Sequence, residues 1–440
     1  MGDVTILIIL KDETLDGSRR VKVLVVGNGG REHALAWKLL QSPQVESCIC
    51  IPGNGGTAGL KGCQNIAVSV DDFDSIARIA QERGIDLVVV GPEFPLSVGI
   101  TDRLQRDKIK VFGPTQAGAQ IEASKSWAKA LMEEAGVPTA KSATFTEAEA
   151  AKTYIAQQGA PIVVKADGLA AGKGVIVAAT VEEAQAAIDT LFREGFTKLI
   201  VEEYLLGEEV SVLALTDGFT VRSLLPAQDH KRIGEGDTGS NTGGMGAYAP
   251  APIATPELMQ QIEQDILKPT VEALRRRGID YRGVLYAGLM ISPQGEPKVL
   301  EFNCRFGDPE TQAILPLLET PLDELLFACT EQRLADFPPL RWKAGSAVCV
   351  VMASAGYPGA YEKGIAIAGI DKAEASGAIV FHAGTKLQNR QLVTDGGRVL
   401  GVTATGDTFA DAIDRVYQAV DCIEFAGKYY RRDIGYRVRK

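Results

Sequence analysis

Two short stretches carry side chains with chemistry of their own. In KVLEFNCRFGDPE, Glu301 and Asn303 stand two apart in a strand-like run, so both point to one side with Val299, while Leu300 and Phe302 point to the other. A carboxylate and an amide oxygen side by side are hard donors of the kind Mg2+ or Mn2+ prefers. Arg305 follows and can balance phosphate charge. The plain alternative is a rim carboxylate paired with Arg305, although a Glu inside an apolar strand needs some partner. In PIVVKADGLAAGKGVIVA, Lys165 ends a strand and is followed by Gly168, Gly172, Lys173 and Gly174. Glycines let backbone N–H groups approach phosphate oxygens, and the lysines add positive charge. The spacing is one short of G-x-x-x-x-G-K-[ST], and Gly174 stands where Ser or Thr would. The alternative here is a hairpin with solvated lysines. Lys125, in EASKSWAK, falls on an expected helix, where an exposed lysine is the default.

A third stretch, LVVGNGGREHAL, runs from a buried strand through Gly27-Asn28-Gly29-Gly30 into a helix. A dinucleotide fingerprint needs a third glycine where Glu32 stands, and an acid at the tip of the next strand, where Pro52 stands. The loop can still present N–H groups to an anion at a helix N-terminus. A tight turn without ligand is the competing reading.

These loops need a scaffold that brings them together. From Val21 to about residue 122, strands VKVLVVG, CICIP, DLVVVG and KVFG alternate with helices GREHALAWKLLQS and DDFDSIARIAQERG. That rhythm predicts a Rossmann-like parallel sheet with helices on both faces. A helix over Ser124–Ala135, stopped by Gly136-Val137-Pro138, opens a second region, residues 123–335. Within it, residues 140–205 read as a small α/β subdomain. Its helices are expected to start at capping boxes formed by Thr146 with Glu149 and Thr180 with Glu183. The glycine-rich DHKRIGEGDTGSNTGGMGAYAP (229–250) reads as a mobile loop or lid. After a long helix and a hairpin, residues 336–440 are strand-rich, with a hairpin at Thr394-Asp395-Gly396-Gly397 and a final helix TFADAIDRVYQAV. The whole is an α/β multidomain chain.

Composition removes several function classes. The chain has 440 residues, too many for one core, and a net charge of −10, which disfavours a nucleic-acid surface. No apolar run approaches a membrane span. The seven cysteines are scattered and odd in number, as in a reduced cytoplasmic protein. Cys48 and Cys50 resemble half a metal site, but no second Cys/His pair is near in sequence, and buried small strand residues are the expectation. His33 and His230 are expected to make structural hydrogen bonds. Residues 1–20 read as an extension ahead of the recognisable start at Val21.

Together, GNGGREHALAWK, GPEFPL, FGPT, KADGLAAGKGV, QDHKR, NTGGMGAY, LYAGLM, EFNCRFGDPETQ, FHAGT and RRDIGY resemble, in this order and spacing, the glycinamide ribonucleotide synthetase family of ATP-grasp ligases. The resemblance spans Val21 to about Tyr436. It implies a pre-ATP-grasp N-terminal domain, an ATP-grasp domain with a small lid and a C-terminal β-rich domain. It also implies the reaction: ATP phosphorylates the glycine carboxylate, and the amine of 5-phosphoribosylamine attacks the acyl phosphate, with Mg2+ or Mn2+ assisting. Carried over by position, Lys125 and Lys165 hold ATP phosphates while Gly172, Lys173, Gly174 and Val175 close over them. Glu202, Glu203, Tyr204 and Leu205 match the adenine hinge, and Glu209 the ribose partner. Glu301 and Asn303 match the metal ligands. Asp229 and Arg305 would grip glycine, with Arg305 and Lys165 acting in catalysis. Gly29, Gly30 and Glu93 would take phosphoribosylamine. A monomer or weak dimer in the cytoplasm, with small-molecule partners only, is the corresponding expectation. One departure stands out: LFREGFTKLIVEEYL lacks the family's phenylalanine–glycine–x–alanine–glycine loop, which should affect lid motion and not the reaction.

Overall fold

The computed structural model describes residues 20–169 and 174–439. Residues 1–19 of the expected extension, and Gly172 and Lys173 of the phosphate-loop expectation, lie outside them. The first sheet is fully parallel, in the order Cys63–Asn65, Val45–Pro52, Val21–Gly27, Leu87–Val90, Val111–Phe112. Its central strands, Val21–Gly27 and Leu87–Val90, are mainly apolar on both faces because helices cover both. The expected helices form over Gly30–Leu39 and Phe73–Arg83.

The middle of the chain builds two antiparallel sheets. One, in the 140–205 region, runs Ser142–Phe145, Leu199–Glu203, Ile162–Ala166, Val175–Ala178. The other runs Val221–Ser223, Glu208–Thr216, Gly283–Ile291, Pro297–Asn303. The helix Lys125–Ala135 has Ser124 as N-cap and ends on Gly136 at φ 67, as expected. Thr180 caps Val181–Arg193, but Glu183 turns its carboxylate to the Ala179 N–H. Ala148–Gln158 instead starts from Glu147 with no side-chain cap, so Thr146 is not the start signal its spacing suggested. Before Leu199–Glu203 the shortened segment is packed down: Gly195 turns the chain at φ 96, and Phe196 lies against the subdomain core.

The glycine-rich stretch departs from expectation. It forms strands Gln228–Asp229, Arg232–Gly234, Thr238–Asn241 and Gly246–Ala249, and the first and last join the C-terminal sheet beside Ser346–Ala353. Met245, Ala247, Tyr248 and Ala249 are fully buried. Two of the glycines are there for close approach, not mobility. A Cβ on Gly246 would lie 2.6 Å from the Cys349 carbonyl oxygen, and one on Gly244 would lie 2.4 Å from Pro309. The C-terminal turn also differs. Gln391–Thr394 pairs with Thr385–Gln388 through left-handed Asn389 and Arg390, while Arg398–Gly406 belongs to the five-stranded sheet. Thr394–Gly397 is therefore a crossing between sheets.

Arg431, in RRDIGY, is fully buried and bolts the 232–241 hairpin to the C-terminal region. It meets Asp237 and Asp433, each at 2.8 Å, and donates to the Arg232 carbonyl at 3.0 Å. Removing one partner of a buried ion network strands the others. Arg431→Met should therefore cost about 3 kcal/mol, read as a lower urea midpoint, and an unchanged midpoint would disprove that role. No helix among the described residues is long and apolar enough to cross a membrane.

Candidate active site

Nine of the predicted residues converge on one cavity of about 690 Å³, while Lys165 stands behind it on Ile162–Ala166. The cavity lies between the strand Pro297–Asn303, the 140–205 subdomain and the C-terminal ends of the first sheet. Lys125, Gly174, Val175, Glu202, Asp229, Glu301, Asn303, Arg305 and Glu93 all line it. A groove of about 830 Å³, near Asp86 and Phe327, contains none of them.

The strand alternation holds only in part. Register passes from Leu289↔Val299 to Gly288↔Glu301, so Leu300 is the extra residue of a bulge. Glu301 and Asn303 do share a face. Val299, however, falls on the opposite face with Phe302, in the apolar core. The bulge also frees the Leu300 carbonyl, which accepts from Lys165 Nζ at 3.1 Å.

Charge around Glu301 is organised to keep it ionised. Burial pushes its pKa up, but Lys231, Lys165 and Lys125 outweigh burial and hold it below the usual range. It does not pair with Arg305. Arg305 instead meets Glu122 at 2.9 Å and Glu93 at 3.3 Å, and donates to Asn303 Oδ1 at 3.1 Å. Lys165 is tied to Glu202 at 2.8 Å, with Lys129 on the other oxygen at 3.2 Å. Lys125 donates to the Gly168 carbonyl at 2.9 Å, and its pKa is lowered by burial.

Asp229 is the least satisfied of these groups. Its Oδ1 is buried with no hydrogen-bond partner. Burial, then neighbouring Glu310, raises its pKa well above the carboxylate range. Glu310 is itself held by Ser211 Oγ at 2.9 Å and Tyr286 OH at 2.5 Å.

The residues expected to form the hinge, Glu202 to Leu205, end the strand Leu199–Glu203 and run just past it. Glu203 pairs with Lys298 at 3.1 Å, Tyr204 is exposed, Leu205 is half-buried, and exposed Glu209 pairs with Lys231. Gly29 and Gly30 lie elsewhere. The Gly29 N–H donates to Glu32 Oε2 at 2.6 Å, and Gly30 is buried, a Cβ there meeting Gln312 Nε2 at 2.6 Å. The Glu32 side chain fills the space over Gly27 and Gly91, which leaves a dinucleotide no room at that turn.

Gly29 opens instead onto a second cavity of about 600 Å³, lined also by Asn54, Lys386 and Arg398. Asp308, Tyr357 and Arg398 line both cavities, so the two meet there. Sequence reasoning missed Lys231, Glu122, Glu310, Asp308 and Arg398. The first four lie inside or beside quoted motifs (QDHKR, EASK, GDPE), so proximity to those motifs was the available signal. Arg398 had none.

The histidines are structural. His33 Nδ1 accepts from the His382 N–H at 2.8 Å, and His230 Nε2 accepts from the Gly435 N–H at 3.4 Å. Burial lowers His230 and His382 from 6.5 to about 4, and lowers His33 well below 6.5 as well. Below 6.5 the unfolded chain therefore binds protons that the folded chain refuses. Stability is present above that pH and is lost as pH falls, by at most about 1.4 kcal/mol per unit for each histidine. Thermal midpoints should drop between pH 7 and 5, above the carboxylate range. A flat profile would show that these imidazoles protonate in place.

Two antiparallel sheets closing on a cavity of lysines, a glycine loop and an acidic strand define an ATP-grasp fold. A biotin carboxylase domain of Hydrogenobacter thermophilus shares that fold, with a TM-score of 0.69 at 17% identity over 93% of this chain and 91% of that one. Profiles of phosphoribosylglycinamide synthetase match throughout: the N domain at residues 21–122, the ATP-grasp (A) domain at 123–311 and the C domain at 347–437. A phosphoribosylamine–glycine ligase of Nostoc sp. is 67% identical over 95% of this chain and its own full length. The crystal structure of the Thermotoga maritima phosphoribosylamine–glycine ligase superposes with a TM-score of 0.82 at 32% identity, over 94% of this chain and all of that one. The chain belongs to the phosphoribosylglycinamide synthetase family.

Proposed function

We propose that the chain ligates glycine to 5-phosphoribosylamine through glycyl phosphate, giving glycinamide ribonucleotide, ADP and phosphate in purine biosynthesis in the cytoplasm. The observation that carries this reading is the convergence, in one cavity, of an ionised Glu301 beside Asn303, a ring of lysines, Arg305 and the unpartnered carboxylate oxygen of Asp229. A glycine carboxylate is a poor acyl donor, because it is anionic and its oxygen is a poor leaving group; phosphorylation changes both. Such a reaction needs placement and charge neutralisation and no protein nucleophile.

Glu301 and Asn303 fit a divalent cation: both are hard oxygen donors on one face, and Glu301 is held ionised. Bound there, Mg2+ or Mn2+ would neutralise phosphate charge. Lys125 and Lys165 approach the phosphates, and Gly174 and Val175 form the described end of the loop above them. Glu202 to Leu205 flank adenine, and Glu209 the ribose. Asp229 takes the glycine ammonium, and Arg305, braced by Glu122 and Glu93, faces the carboxylate and the charge that grows on phosphoryl transfer. Phosphoribosylamine would bind where the cavities meet, with Glu93 on one side and Gly29 on the other. Buried Gly30 would position the helix and make no contact itself. The enzyme would act as a monomer or weak dimer. The domain limits follow the sequence reading, at 21–122, 123–335 and 336–440.

The test is ADP release with ATP, Mg2+, glycine and freshly generated phosphoribosylamine, each omitted in turn. Sustained release that needs both co-substrates supports the assignment. Release with a different acid, or with neither co-substrate, would overturn it.

A further inference from the structure

Outside the active site, the fold assembles three thiols that the sequence keeps apart. Cys48 and Cys50 alternate on Val45–Pro52 and so share a face, the one under the helix Gly30–Leu39. The neighbouring strand, at the edge of the parallel sheet, brings Cys63 directly opposite Cys48. The three sulfurs all lie within 4.8 Å of one another, with Cys50 and Cys63 at 3.6 Å. Among the described residues, no other trio of His, Cys, Asp or Glu donors converges this closely. Cys48 and Cys50 are buried strand residues, as expected, and the third sulfur comes from a parallel neighbour across the sheet.

We propose that Cys48, Cys50 and Cys63 form a binding site for one thiophilic d10 cation, of the Zn2+, Cd2+ or Cu+ class. The geometry is close to what such an ion takes. Metal–sulfur bonds of about 2.3 Å place ligand sulfurs about 3.8–4.0 Å apart in tetrahedral or trigonal sites. The Cys50–Cys63 separation of 3.6 Å is just short of that spacing and the whole trio lies within 4.8 Å, so small side-chain adjustments suffice. Soft sulfur donors select these ions over Mg2+ or Mn2+, which keeps the site chemically separate from Glu301 and Asn303. Cys48 and Cys50 are buried, and half-buried Cys63 on the edge strand gives the ion its way in from solvent. Binding is a proton exchange: three S–M bonds form, each sulfur that is still protonated gives its proton to solvent, and no oxidation state changes.

The site has a structural neighbour of consequence. Two residues beyond Cys63, Asn65 Nδ2 donates to the Asn54 carbonyl at 2.8 Å and Asn65 Oδ1 accepts from Thr57 at 2.8 Å. Asn54 lines the second cavity. An ion tying the edge strand to its neighbour would therefore brace the loop that floors that cavity.

The full-length protein, reduced and anaerobic and with Mg2+ saturating, is titrated with Cd2+. The proposal expects thiolate-to-cadmium ultraviolet absorption that saturates at one equivalent. It also expects three of the seven thiols to be shielded from a thiol reagent, a raised thermal midpoint, and competition by Zn2+ or Cu+ according to which ion the site prefers. Cys63→Ser, with Cys50→Ser as a second variant in case the first folds poorly, should weaken Cd2+ binding at least tenfold. Cys422→Ser, on the C-terminal helix, should bind as the parent does. Absence of the thiolate absorption, the same titration in both cluster variants, or a Cys50–Cys63 disulfide that forms in place of metal binding would overturn the proposal.

Discussion

Glu301→Gln should lower turnover by about a hundred- to a thousandfold, the range for removing one preorganised charge-stabilising group, while the protein stays folded. The substitution keeps the shape of the side chain and its place opposite Gly288. It removes the negative charge that Lys231, Lys165 and Lys125 stabilise on that side chain. Without that charge the cavity keeps its lysines but loses the better of two hard donors for a divalent cation. ATP alone should still bind through the lysines. The extra thermal stabilisation that Mg2+ adds to ATP in the parent should disappear, since a ligand raises the midpoint only as far as it binds the folded state. Full activity with a normal Mg2+ requirement would mean that Glu301 is a rim carboxylate and the cation sits elsewhere.

Asp229→Asn should act on glycine and leave ATP alone. Its buried Oδ1 has no partner, and its pKa is raised by burial and by Glu310. With its pKa raised, Asp229 keeps a proton to higher pH than an ordinary carboxylate does, and an arriving ammonium must displace any proton held there. In the parent, glycine binding should release a proton, and tighten as pH rises toward the pKa of the glycine amine. An asparagine of the same shape offers no charge to the ammonium. Loss of a buried charge pair is worth roughly 3 kcal/mol, which raises KM for glycine about a hundredfold. Calorimetry in two buffers of different ionisation heat reads the proton directly. A variant with unchanged KM for glycine and reduced kcat alone would remove Asp229 from the amine site and leave it a positioning residue for Glu310.

Much of this was legible in the sequence because the signals were local. Strand-to-helix alternation in the first hundred residues reads directly as a parallel sheet, and two positions on one strand put Glu301 and Asn303 on one face. What escaped depended on distant chain. A bulge at Leu300 cannot be read from its neighbours, yet it turns Val299 away from the metal pair and hands Lys165 a carbonyl. A run of glycines reads as mobility until Pro309 and Cys349 are seen pressed against Gly244 and Gly246. Arg305 lies near Glu301 in sequence, but its carboxylates, Glu93 and Glu122, both come from the first region of the chain. Arg398 enters from the C-terminal sheet to pair with Asp308 at 3.3 Å, and no motif announced it.

The account rests on glycine being activated as an acyl phosphate, and that leaves an isotopic trace. With both carboxylate oxygens of glycine labelled with oxygen-18, one labelled atom becomes the bridge to the transferred phosphoryl group. It departs with phosphate when the amine attacks. Mass spectrometry of the released phosphate should find one oxygen-18 per turnover, with the other kept in the product amide. Unlabelled phosphate alongside normal product formation would show that the carboxylate is never phosphorylated, and would contradict the mechanism.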